Sequence, residues 1–253
     1  MKYWMIGFLA VLISVPLIFS TLGGTADLKN ASTTAKNERI IIIDAGHGGA
    51  DGGAVASDGT IEKDLNLAVA LCLNEELKAL GYKTVMTRTE DVSTDTDDDA
   101  KFNKQEDIKN RLSLMSRYKN SAFISIHMNK YSTSQPNGAQ VFYAAVGGSE
   151  QLAGFIQSSI KTNLQQTNKR VIKPTDKNIY LLRNAIVPAV IVECGFLSNQ
   201  NDLNNLKSED YRKKLALAIA NGYEEFIKTE VENDGAKDAS GDRVETNSGS
   251  EEG

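Results

Sequence analysis

Four consecutive isoleucines, Ile40 to Ile43, stand between Arg39 and Asp44. β-Branched side chains lose rotamer freedom in a helix and pack well on a pleated sheet. A strand with no polar alternation must be covered on both faces, which is the condition of a parallel sheet flanked by helices. The rest of the chain repeats the theme. A helix is expected over Glu62 to Leu80, with Leu65, Val69, Leu73 and Leu77 on one face and Gly81 as its stop. Further helices are expected around Ile108 to Tyr118, Leu152 to Leu164 and Glu209 to Lys228. Strands are expected at Lys83 to Arg88, Ala122 to Ile126, Ala139 to Ala145, Ile179 to Leu182 and Pro188 to Glu193. Strands alternating with helices give an α/β class with a largely parallel sheet and helices on both faces. Functional groups in such sheets gather beyond the carboxyl ends of the strands.

Neither end belongs to that fold. Residues 1–26 carry one charge, Lys2, then an apolar run from Trp4 to Phe19 and the small residues Gly24, Thr25 and Ala26. This reads as an export signal or an uncleaved membrane anchor. Either way the remainder is exported, and membrane contact is expected only through this segment. Residues 27–37 read as a polar linker and 38–229 as one folded domain. Residues 230–253 read as a disordered acidic tail, poor in apolar groups. From Glu232 onward there are seven acids and two bases; removing them from the totals of 33 and 28 leaves 26 of each. The net charge of -5 is therefore the tail's. A neutral body argues against a nucleic-acid partner bound through phosphates. Cys72 and Cys194 lie far apart in apolar contexts, where two small buried hydrophobes are a simpler reading than a disulfide.

The chain has two histidines. Each falls just past an apolar strand: His47 after Ile40 to Gly46, and His127 after Phe123 to Ile126. If those strands are parallel neighbours, both imidazoles leave the same edge of the sheet. A shared metal is then easy to build, and Glu62, at the start of the following helix, is the candidate third ligand. The alternative is two unrelated loop histidines. His47 lies among Gly46, Gly48 and Gly49, which let backbone crowd a ligand. Glu193 ends the apolar run Val190 to Val192, where a buried carboxylate must be partnered or used. It is either a general base beside the metal or an ion-pair partner of Arg183 or Arg88. Asp44 is either an acceptor for an imidazole or a loop cap. The acids Asp95 to Asp99 lack the spacing of a calcium loop and read as a solvated run.

These stretches, in order, resemble the zinc-dependent N-acetylmuramoyl-L-alanine amidases of the Amidase_3 type: Asp44 to Gly49, Glu62 to Leu67, Thr87-Arg88, Ser125 to Asn129, Leu181 to Arg183 and Val192 to Asn199. The resemblance implies a twisted sheet of about six strands and one Zn2+ held by His47, Glu62 and His127. It implies Glu193 as the catalytic glutamate. It also implies hydrolysis of the amide between N-acetylmuramic acid and L-alanine in peptidoglycan. Asn129 and Arg183 are candidate substrate contacts beside those positions. Ala45 stands where the family usually has proline, and Met128 where it has a smaller residue, which touches loop shape rather than ligands. Lacking wall-binding repeats, the domain is similar to the spore-cortex amidases, whose action prepares muramic δ-lactam. The rival readings are a general autolysin amidase, a zinc carboxypeptidase of wall peptides and a metal-free wall-binding module. The need for an activator protein stays open.

Overall fold

The computed structural model describes residues 39–95, 102–176 and 178–241. The expected signal or anchor segment, the expected linker and residues 242–253 lie outside these. The elements in chain order are β1 (Ile40–Ala45), α1 (Glu62–Ala79), β2 (Lys83–Met86), α2 (Lys104–Arg117), β3 (Ser121–Asn129) and β4 (Gln140–Tyr143). They continue with α3 (Ser149–Asn163), β5 (Lys173–Pro174), α4 (Tyr180–Arg183), β6 (Ala189–Phe196), α5 (Gln200–Lys207) and α6 (Glu209–Gly241). The six strands form one sheet in the order β2-β1-β3-β6-β4-β5. All neighbours are parallel except β4 against β6.

The isoleucine run explains the layering. Successive side chains of a strand point to opposite faces. Ile41 and Ile43 enter the larger core, with Leu73 of α1, Ile156 of α3 and Tyr223 of α6. Ile42 enters the smaller core, with Met115 of α2, Leu182 of α4 and Phe123 of β3. Four isoleucines thus serve two cores, and no polar alternation is tolerated.

Two expectations are corrected and one element is added. Ile179 to Leu182 is not a strand: Tyr180–Arg183 is a single helical turn that drops Leu182 into the smaller core, and the edge strand is Lys173–Pro174 instead. Helix α5 is an addition, started by Asn199, whose side chain accepts from the amides of Asn201 and Asp202. The last helix passes residue 229 and runs to Gly241. Val231 packs on the larger core and Glu230 pairs with Arg39, so the helix stays packed beyond its expected end at Lys228. Without proline after residue 229, an existing helix propagates at little cost. Cys72 and Cys194 are both free thiols, half-buried and buried.

Candidate metal centre

Sheet register assembles the site. His127 of β3 pairs with Glu193 of β6, and Asp44 of β1 with Ser125 of β3. The alternation that sends Phe123 and Ile191 into the smaller core sends His127 and Glu193 out at the top of the same face. His47 joins them from the loop after β1, in a left-handed backbone conformation with φ 59°. Non-glycine residues rarely adopt this conformation.

Glu62 is the first residue of α1, where an acid is favoured by the helix dipole. Its Oε1 lies 3.0 Å from Nδ1 of His127 and 3.4 Å from Nε2 of His47. The two rings meet edge-on, with centroids 4.9 Å apart. One ligand atom from each of the three residues falls within 4.8 Å of the others. Burial alone would raise the Glu62 carboxyl, but the two histidines outweigh it and hold the group well below the usual carboxylate range. Its other oxygen accepts from the amide of Ala54 at 2.8 Å.

The cradle is shaped for this cluster. A Cβ on Gly46 would stand 2.3 Å from the His127 ring, and one on Gly53 would stand 2.6 Å from Glu62 Oε2. Two imidazoles and a carboxylate, with space left open, suit a catalytic zinc. The acceptor for the imidazole of His47 is Asp51, 2.9 Å from Nδ1, which leaves Nε2 for the metal. Asp44 is not that acceptor. It takes hydrogen bonds from Arg111 (2.6 Å), Ser125 (2.6 Å) and Thr87 (2.8 Å). Burial would raise its pKa; the charge of Arg111 and these hydroxyls bring it below the ordinary value.

Two buried arginines fix the loop. Arg88 donates to the carbonyls of Ala45, Gly46, His47, Lys63 and Glu90. Arg111 donates to those of Ala45 and His47 and pairs with Asp107 at 2.9 Å. Arg88 is thereby committed to main-chain oxygens and does not pair with Glu193.

Glu193 forms no ion pair among the described residues, and its buried Oε2 has no hydrogen-bond partner. Burial pushes its carboxyl up to about 7. An orphaned carboxylate beside three convergent ligands is equipped to exchange a proton with something not supplied by the protein. It lines a cleft of about 270 Å³ with His47, His127, Asp51, Ile179 and Tyr180. Asn129 and Arg183 do not line that cleft. Asn129 sits at the end of β3, where its carbonyl accepts from Leu197. Arg183 is exposed on α4, not on a strand end, with its guanidinium 5.3 Å from the ring centroid of Tyr180.

Sequence reasoning missed Asp51, Asn66 and Arg111. Asp51 and Asn66 carry a signal, each four residues after a proposed ligand. Asn66 is one helical turn beyond Glu62 and donates to Gly46 O at 3.0 Å. Arg111 carries none, since only the tertiary fold brings it to Asp44.

Comparison with known proteins gives the same direction. Residues 41–225 match the family model described as N-acetylmuramoyl-L-alanine amidase. A germination-specific N-acetylmuramoyl-L-alanine amidase of Bacillus subtilis (strain 168) is 34% identical over 187 residues, covering 73% of this chain and 78% of that protein. The CwlD amidase from Clostridioides difficile, solved in complex with the GerS lipoprotein, is 39% identical with a TM-score of 0.71, covering 75% of this chain and 98% of that one. The catalytic domain of the CwlV amidase from Bacillus (Paenibacillus) polymyxa var. colistinus is 30% identical with a TM-score of 0.62, covering 75% and 98%.

Proposed function

We propose, for a chain that belongs to the N-acetylmuramoyl-L-alanine amidase family, that its peptidoglycan amidase activity is zinc-dependent and works through Glu193. The observation that carries this is the unpartnered, buried Glu193 Oε2 beside the His47, Glu62 and His127 cluster. A zinc ion there supplies Lewis acidity to the attacking water and to the scissile carbonyl. Glu193 takes a proton as water adds to the lactyl carbonyl carbon. It then returns that proton to the L-alanine nitrogen as the C–N bond breaks, leaving a free amine and a lactyl carboxylate. His47 and His127 hold their ring orientation, His47 through Asp51. Asn129 and Arg183 belong to the same proposal as substrate contacts outside the cleft that Glu193 lines.

The proposed setting is outside the cytoplasmic membrane, with the N-terminal segment as signal or anchor. The cellular role we propose is spore-cortex maturation, motivated by similarity to the germination-specific relative. The relative solved with a lipoprotein motivates a search for an activator of that kind. Muropeptide analysis of purified wall, digested with and without chelator, tests the chemistry. Free L-alanine amino termini on released peptides and peptide-free glycan support it. Cleavage within the peptide, or cleavage unaffected by chelation, defeats it.

A further inference from the structure

The cleft that holds Glu193 adjoins a second groove at its α2 side. Lys104, Ile108 and Tyr180 line it, and the same three residues line a more apolar groove that also takes in Gln105 and Lys109. The two spaces therefore share one wall. Ile108 and Tyr180 supply the apolar strip, with Tyr180 44% exposed. Lys104 and Lys109 stand beside it on α2, both exposed. Lys104 touches Asp51 at 3.4 Å, and Lys109 forms no ion pair among the described residues.

An apolar strip flanked by ammonium groups suits an extended peptide with free carboxylates. A neutral glycan offers those groups no charge to meet. The groove also lies beside the cleft of the reacting centre, within reach of one half of a cleaved amide. We infer that the groove binds the stem peptide of the substrate, with Lys109 and Lys104 meeting its carboxylates. This rests on the amidase reading above and extends it to the leaving group.

The test titrates the purified protein with two synthetic stem peptides beginning at L-alanine, identical except that one carries free side carboxylates and the other carboxamides. Wild type binds the acid form about two- to five-fold tighter, the range of exposed ion pairs. Lys109→Ala weakens that preference and Lys109→Glu abolishes it. Equal affinity for both peptides in wild type, or an intact preference in Lys109→Glu, overturns the inference. Peptide release from purified wall is assayed alongside. Lys109-dependent discrimination without release defeats the amidase reading and leaves the groove standing; release without discrimination does the opposite.

Discussion

His127 and Glu193 are direct cross-strand partners in the parallel pairing of β3 with β6. Adjacent strands run about 4.8 Å apart, so one backbone register sets a proposed metal ligand beside the proposed proton carrier. A slip of one residue in β6 would turn Glu193 into the opposite core and bring Val192 or Cys194 to the site. The precision of the site is therefore sheet precision, with only His47 and Glu62 delivered by loop and helix.

Glu193→Gln keeps the shape of the side chain and removes the base. Activity falls by about 10²- to 10⁴-fold, while metal content measured by atomic emission stays at the wild-type level. The pH profile follows from the raised carboxyl. The base works only when deprotonated, so kcat/KM declines as pH drops below its pKa. That value is about 7 without metal, and a bound cation moves it down. An acid limb well above pH 7 argues against Glu193 as the base.

His47→Ala and His127→Ala lose metal and activity together. Dialysis of wild type against a chelator does the same, and added Zn2+ restores activity. Full turnover in metal-free protein is the outcome that sinks the metal assignment.

Asp51→Asn weakens the hold on the imidazole of His47 without removing a ligand. Metal affinity falls by about 10- to 100-fold, read by competition with a chromophoric chelator. The circular dichroism spectrum stays that of wild type.

Gly53→Ala and Gly59→Ala form a matched pair. Both glycines have positive φ, 67° and 87°, so each substitution carries a backbone cost of about 1–2 kcal/mol. A Cβ at Gly59 meets nothing within 4 Å, whereas one at Gly53 meets Glu62 at 2.6 Å and His47 at 2.7 Å. Gly59→Ala is slightly less stable and binds metal normally. Gly53→Ala loses metal as well, by the same emission measurement.

Asp44 and Arg111 form a buried pair at 2.6 Å. Arg111→Met leaves the carboxylate its two hydroxyl donors but no paired charge, and costs about 3–5 kcal/mol in urea denaturation at pH 7. The folded pKa of Asp44 lies below its ordinary 3.8. Its contribution is thus fully present above pH 3.8 and is lost as pH falls through the folded value. The stability gap between wild type and Asp44→Asn narrows accordingly on acidification from pH 5 to pH 3.

The sequence was legible where one local signal sufficed. Ile40 to Ile43 announced a doubly covered strand, and two strand-end histidines announced a shared edge. Ile179 to Leu182 misled because four apolar residues satisfy a strand or a helical turn equally. The choice is made by burial of Leu182 against Met115 and Phe123, which is tertiary. Arg111 could not be read for the same reason: its partner Asp44 is 67 residues away in the chain.

Arg88 and Arg111 grip carbonyl oxygens of residues 45 to 47 rather than their side chains. Every amino acid brings that oxygen, so the hold is blind to residue identity. Mutational drift at position 45 is therefore tolerated as long as a compact side chain fits, and Ala45 can occupy it without disturbing His47 two residues on. The two arginines enjoy no such licence, because no other residue spreads five donors in one plane.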